Sequence, residues 1–180
     1  MTGNEGAAGG TDRPALDRLF SATYEELRVL AARVRGSDPS ETLSPTALVN
    51  EAYIKLADSL RLEPASRLHF KRIAARAMRQ VLVEAARRRK AQKRGGGYAF
   101  VTFDDALEAT QSTSEDVLAL DAALEGLARI QPRQAAMVEC RFFGGLDLVE
   151  TAQVLEVSES TILRDWRAAR AWLAVELNRG

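Results

Sequence analysis

The sequence has almost none of the residues from which metal sites and disulfide frameworks are built. Its 180 residues include one cysteine, Cys140, and one histidine, His69. A disulfide needs two thiols, and a structural zinc site takes four ligands that are mostly Cys and His, so this chain can form neither by itself. We therefore expect no metal and no cofactor, with Cys140 in the core and His69 at the surface or at a helix cap. A single free cysteine also suits a reducing compartment.

Long apolar runs are missing as well. Residues 1–12 are rich in glycine and lack both the basic start and the apolar stretch of a secretory signal peptide. No later segment approaches the roughly 20 consecutive apolar residues that cross a bilayer. These absences predict a disordered N-terminus at residues 1–12 and a soluble, cytoplasmic protein that has no membrane partner.

Alternating runs of β-branched residues, which half-buried strands need, do not occur either. Ala, Leu, Arg and Glu dominate instead, and apolar residues recur at intervals of three and four. Ser44 before Pro45, and Ser158 after a turn, are typical of helix starts. The sequence predicts an all-α fold with helices at about 15–35, 45–60, 65–93, 148–155 and 159–177, and two more between Ser114 and Phe143.

Positive and negative charges are equal in number but separated along the chain. Lys and Arg total 25, and Asp and Glu total 25, so the formal net charge is zero. Residues 13–94 nevertheless hold 18 basic and 9 acidic residues, and residues 67–94 hold 11 basic residues against one acidic. Residues 95–117 hold five acidic residues and no basic one. This shift predicts two small domains, at 13–95 and 118–180, joined by an acidic linker at 96–117.

A helix-turn-helix pattern occupies residues 146–162. Ala152 is small enough for two helices to cross, Val157 is the apolar residue of the turn, and Ser158 caps the second helix. At 100° per residue, one side of that helix carries Ile162, Trp166, Ala169 and Leu173. The opposite side carries Ser160, Thr161, Arg164, Arg167, Ala168 and Ala171. Small residues beside arginines suit a major groove, and the alternative is the solvated face of an ordinary surface helix.

The third predicted helix carries a stripe of basic residues. Lys71, Arg72, Arg76 and Arg79 lead into a basic run at residues 87–94. The run alone would fit a solvated helix end, where the helix dipole favours cations, as well as it fits binding to phosphates. Because the run continues the stripe on the same helix, a DNA-facing surface is the favoured interpretation.

The basic helix and the C-terminal helix-turn-helix, in this order, resemble extracytoplasmic-function (ECF) sigma factors of bacterial RNA polymerase over nearly the whole chain. Leu48–Leu56 is similar to the region 2.2 helix, and Phe70 onward to regions 2.3 and 2.4. Residues 161–173 resemble a subset whose recognition helix carries R-D-W followed by A-R-A-W-L, and Lys93–Gly97 suits the same subset. The resemblance implies a sigma region 2 three-helix domain, a sigma region 4 helix-turn-helix domain and no enzymatic activity.

The resemblance also implies partners and site residues. Region 2 would bind the β′ clamp helices of core RNA polymerase and recognise and melt the −10 element of promoter DNA. Region 4 would contact the β flap and read the −35 element, and an anti-sigma factor is a further candidate partner. The implied polymerase-binding residues are Leu48, Asn50, Glu51 and Lys55. The implied −10 contacts are Lys71, Arg72, Arg76, Arg79, Gln80, Arg87 and Arg88, and the implied −35 contacts are Ser160, Thr161, Arg164, Arg167 and Arg170.

Two features depart from the pattern that the resemblance provides. The subset usually has Asp-His where this chain has Glu84 and Ala85. The third helix has only His69 and Phe70 as ring side chains, in place of the Trp and Tyr cluster with which housekeeping sigma factors stack on melted bases. We therefore expect promoter melting to depend strongly on a close match to the promoter sequence.

Three other classes of function fit the same residues less well. An autonomous helix-turn-helix regulator is the alternative, and it would bind DNA as a dimer without polymerase. A hydrolase or transferase finds no Gly-rich phosphate loop, no nucleophile elbow and no pair of metal ligands, so no catalytic residue is expected. A purely structural interaction protein would not need the basic stripe.

Overall fold

The computed structural model describes residues 13–35, 43–59, 66–92 and 114–178. Within these ranges the chain forms α-helices and no strand, which confirms the all-α prediction. The helices are α1 (Arg13–Arg35), α2 (Pro45–Ser59), α3 (Arg67–Gln92), α4 (Ser114–Ile130), α5 (Pro132–Phe142), α6 (Leu148–Leu155) and α7 (Glu159–Leu177). None of these helices combines the length and hydropathy that a bilayer span requires.

Two predicted segments fall largely outside this description. The N-terminus at residues 1–12 lies outside the described residues, and so does the predicted linker as far as residue 113. From there the chain is already helical, since α4 begins at Ser114. Val117 is 7% exposed and packs in the core, so the last four residues assigned to the linker form the first turn of a helix.

Side-chain caps explain where several helices begin. Ser44 Oγ accepts a hydrogen bond from Ala47 N at 3.1 Å, so α2 starts at the following proline. Ser158 Oγ accepts one from the N–H of Thr161 at 3.2 Å at the start of α7. Asp147 and the third residue of α6 form a capping box, in which each side chain accepts from the other's backbone N–H. These bonds satisfy N–H groups that a first helical turn leaves free, which makes the helix starts local properties of the sequence.

Helices α1, α2 and α3 pack together as a first group. Phe70 and Met78 of α3 lie at its centre, and both are fully buried. The facing residues from the other two helices are Leu27, Ala31, Val34, Leu48, Val49 and Ala52. Along each helix the buried residues recur at spacings of three and four, which is the pattern expected of helices that share a core.

Helices α4 to α7 form a second group, and its core is continuous with that of the first. Its most deeply buried side chains include Leu124, Leu127, Met137, Phe143, Ile162 and Leu173. α3 joins the groups, because it packs on α1 and α2 and also on α4, α5 and α6. The backbone at Gly144 passes very close to α3. A Cβ added to this glycine would lie 3.1 Å from the Cβ of Ala75 on α3 and 2.5 Å from the carbonyl oxygen of Cys140.

The single cysteine lies in this core. Cys140 is 1% exposed, which confirms its predicted position. Burial raises the pKa of its thiol to about 11, since a thiolate is disfavoured where water is excluded. The thiol is therefore protonated and unreactive at neutral pH.

Truncation of Trp166 tests the packing of α7 on the core. Trp166 is 6% exposed, and losing a buried aromatic side chain costs about 3–5 kcal/mol because a cavity remains. We expect Trp166→Ala to lower the free energy of unfolding in urea by that amount, measured by circular dichroism. Leu163→Ala on the same helix is the control, since Leu163 is 43% exposed, and it should change stability by less than about 0.5 kcal/mol. Equal losses in the two variants would contradict this orientation of α7.

Candidate nucleic-acid interface

The segment between α6 and α7 makes the tight turn of a helix-turn-helix. Glu156 adopts a left-handed conformation, with φ of 56°, and ends α6. The next residue, Val157, donates its N–H to the carbonyl of Ala152 at 3.0 Å. Ala152 is 5% exposed and Val157 packs against the core, as the sequence predicts for the helix crossing and the turn.

α7 presents two opposite faces. Ile162, Trp166, Ala169 and Leu173 are all buried, which confirms the predicted core stripe. Arg164 and Arg167 project on the other side, and the Arg164 side chain is 72% exposed. Arg170 is half-buried near the boundary between the faces. An exposed surface of small residues and arginines therefore runs along α7.

The first turn of α7 carries a cluster of hydroxyl groups. Ser158 Oγ lies 2.9 Å from Ser160 Oγ and 2.9 Å from Thr161 Oγ1. Ser160 is exposed and Thr161 is half-buried. Ser160 and Thr161, the two predicted contact residues, are thus held in place by the capping residue Ser158.

Asp165 is a positioning residue that the sequence interpretation missed. It is 3% exposed, and its Oδ2 accepts a hydrogen bond from Arg133 Nε at 2.8 Å. This hydrogen bond raises the pKa of Arg133 further above its ordinary value. Asp165 lies three residues after Ile162 and four before Ala169, which places it on the same side of the helix as these apolar residues. An acidic residue on that side was the feature of the sequence that could have indicated its burial. An acid on a buried stripe needs a cationic partner, and the start of α5 supplies one.

A second arginine holds α7 from the side of α5. The guanidinium carbon of Arg141 lies 4.8 Å from the centre of the Trp166 ring, in a cation–π contact. Burial lowers the pKa of Arg141, since a charge is disfavoured away from water, although the guanidinium stays charged at neutral pH. α7 is therefore held against α5 by the ion pair between Asp165 and Arg133 and by the cation–π contact between Trp166 and Arg141.

The predicted −10 residues on α3 divide into two sets. Arg76, Gln80 and Arg88 are exposed. The other four residues each contact α4, α5 or α6, and they are Lys71, Arg72, Arg79 and Arg87. Of these four, Arg72 and Arg87 are nevertheless exposed. A cleft of about 430 Å³ lies beside these contacts, between α3, α4 and α5, and Arg76, Gln80 and Val83 line its α3 side.

The predicted polymerase-binding residues lie on α2. Asn50 and Glu51 are exposed, and Lys55 Nζ is 2.8 Å from Glu84 Oε1 on α3. Leu48 is 0% exposed, so it belongs to the core and is not a surface contact in this conformation. Leu48 lies four residues before Ala52 and eight before Leu56, so all three share the buried side of α2. Ile54 is 56% exposed on the same helix, and a large apolar residue at the surface is a signal that the sequence interpretation did not use.

Comparison with known proteins agrees with this arrangement of helices. The family model described as ECF sigma factor matches residues 8–179. No curated protein and no solved structure matches the chain significantly. The family match covers almost the entire sequence, including the helix-turn-helix and the basic helix. The chain therefore belongs to the ECF sigma factor family, whose members bind core RNA polymerase and direct it to promoters for transcription initiation.

Proposed function

We propose that the two helix groups divide the work of promoter recognition. The group α1–α3, as region 2, binds the β′ clamp helices through α2 and recognises and melts the −10 element through α3. The group α4–α7, as region 4, contacts the β flap and reads the −35 element through α7. The observation that carries this proposal is the exposed arginine face of α7, on a helix that the core holds by its opposite face.

The geometry of α7 supports a reading role in the major groove. An arginine can donate two hydrogen bonds to guanine, and residues near the N-terminal end of a recognition helix contact base edges. Arg164 is one turn into α7 and highly exposed, which favours a base contact. Arg167 is exposed one turn further along the helix, and Arg170 is half-buried, which favours phosphate contact or packing for Arg170.

Replacing Arg164 by Ala tests the reading role. Loss of a base contact should cost about 1–3 kcal/mol of discrimination and relax the preference at one position. We expect this change in transcription from a promoter library randomised across the −35 element. Arg129→Ala, which removes an exposed arginine from the end of α4, is the control and should leave base preference unchanged. Identical preferences for wild type and a folded Arg164→Ala variant would show that Arg164 does not read sequence.

The exposed side of α2 supports contact with polymerase. Asn50, Glu51 and Ile54 are all accessible there, and Lys55 is half-buried beside them. This combination of a large apolar side chain with flanking polar groups is usual for a protein interface. The same side remains open while α1 and α3 cover the opposite side of α2.

Reversing charge at both Glu51 and Lys55 should abolish co-purification with core polymerase, because opposite charge would meet the same partner surface. Lys55→Glu also breaks the exposed ion pair with Glu84, a change worth at most about 1 kcal/mol of stability. Adding Glu84→Lys restores that pair in the reversed sense and serves as the control for folding. Full binding to core enzyme by the folded double variant would exclude this docking surface.

The ring side chains of α3 support dependence on a close promoter match. Phe70 is fully buried, and His69 is half-buried at the first turn of the helix. A buried ring cannot stack on an unpaired base in this conformation. Melting would then rely on hydrogen bonds and charge, and less on the aromatic stacking that single-strand binders use.

Run-off transcription separates this function from that of an autonomous regulator. With purified core polymerase, the protein should produce specific transcripts from a promoter of its own genome, and core enzyme alone should not. Strong sequence-specific binding by the purified protein without polymerase, as a dimer on a pseudo-palindrome, would favour the regulator instead.

A further inference from the structure

Asp165 is a buried carboxylate that faces two arginines. Its Oδ2 accepts a hydrogen bond from Arg133 Nε at 2.8 Å, and its Oδ1 lies 3.9 Å from Arg164 Nε. The Asp165 side chain is only 5% exposed, whereas that of Arg164 is 72% exposed. One oxygen therefore binds the start of α5, and the other faces the arginine proposed to read the −35 element.

The nitrogen of Arg164 that approaches Asp165 is the one nearest its aliphatic stem. A guanidinium has one N–H on Nε and four more on Nη1 and Nη2, all fixed in one plane. With Nε turned toward Asp165, the two Nη groups form the outer end of the side chain. Guanine presents two acceptors, O6 and N7, on its major-groove edge, and a pair of neighbouring N–H donors matches them.

The distance between Asp165 and Arg164 suits a contact that directs the arginine without enclosing it. At 3.9 Å the two groups attract each other, but they are further apart than the about 2.7–2.9 Å of a charge-assisted hydrogen bond. Asp165 forms that shorter bond with Arg133, so the carboxylate is bound chiefly by α5. Because it is also covered, it is not placed to accept a hydrogen bond from cytosine or to repel a DNA phosphate.

We propose that Asp165 orients Arg164 toward guanine: Oδ1 holds Nε, so that Nη1 and Nη2 reach the −35 element as a preset pair of donors. The inference rests on the proposed function, since it takes α7 as the helix that reads this element. A long, exposed side chain loses rotamer freedom when it binds, and a partner that restricts it beforehand lowers that loss. Only guanine offers two acceptors to the pair in the major groove, so the restriction strengthens the preference for guanine.

This orienting role differs from that of holding α7 on the core. The packing of Trp166 and the bond to Arg133 both fix the helix, and a residue with that task alone could be replaced by an apolar one. The orienting role requires a carboxylate beside Arg164. Variants that keep the packing and remove the carboxylate therefore separate the two roles.

The first test is Asp165→Asn, which keeps the shape of the side chain and an oxygen for Arg133 but removes the charge that attracts Arg164. In transcription from a promoter library randomised across the −35 element, the guanine preference at the position read by Arg164 should fall about twofold or more. Glu125→Gln, which removes one negative charge at an exposed position of α4, should leave every preference unchanged. If Asp165→Asn keeps the wild-type preference, or lowers transcription from all −35 sequences alike, the orienting role is wrong.

Combining Asp165→Asn with Arg164→Ala tests whether Asp165 acts through Arg164. The double variant should have the base preferences of Arg164→Ala alone, because an absent side chain cannot be oriented. A further loss of preference in the double variant would contradict the proposal. If Arg164→Ala itself leaves the preferences unchanged, the reading role of Arg164 fails and the inference fails with it. An effect of Arg164→Ala without one of Asp165→Asn overturns the inference alone.

A second variant covers the case in which Asp165→Asn does not fold. Arg133→Met with Asp165→Leu removes both charges, and exchanging a buried charge and its partner for apolar residues is often neutral or stabilising. Apolar contact then holds α7 against α5, which restores a purely structural role, but no carboxylate faces Arg164. The guanine preference in the same library should again fall about twofold or more. A folded Arg133→Met, Asp165→Leu variant with the wild-type guanine preference would overturn the proposal.

Discussion

The relation between the two helix groups depends on one largely covered cation, the guanidinium of Arg79. Arg79 extends from α3 into a position where Asp121 of α4 and Glu139 of α5 both bind it. Charges removed from water are tolerated only when they are paired and hydrogen-bonded, so three helices must keep their relative positions for this guanidinium to be satisfied. The apolar contacts around it set the strength of the association. The ion pairs fix the position of α3 along α4 and α5, because a shift of one residue along α3 would move Arg79 away from Asp121 and Glu139.

α3 therefore has two roles that make opposite demands on the sequence. Its apolar side completes the core of the first group, with Phe70 and Met78 fully buried. Its basic side is partly neutralised within the folded protein and, under the proposed function, also contacts promoter DNA. Acidic residues on α4, α5 and α6 meet the first of these demands, since they pair with Arg79 and Lys71.

Periodicity and capping residues predicted most of the fold because both act within one helix. The bounds of α6 and α7 follow from Ser158, the turn and the apolar spacing, and the structure has them at the predicted residues. The pairing of Arg79 could not be predicted in this way. Its partners lie 42 and 60 residues further along the chain, and a basic stripe is equally compatible with solvent, DNA or acid. Leu48 is buried although the resemblance implies a polymerase contact there, since a resemblance assigns a function to a segment and not to one side of a helix.

The R-D-W motif on α7 shows how three adjacent residues take three separate roles. Successive side chains on a helix are 100° apart, so residues 164 to 166 together sweep more than half of the helix circumference. Arg164 points outward, Asp165 turns inward to Arg133, and Trp166 packs in the core beneath Arg141. Only the first of the three is accessible to DNA. The other two fix the rotation of α7 about its axis, and that rotation sets the direction in which Arg164 projects. Under the proposed reading role, base preference at the −35 element would therefore depend on the buried Asp165 as well as on the exposed arginine before it.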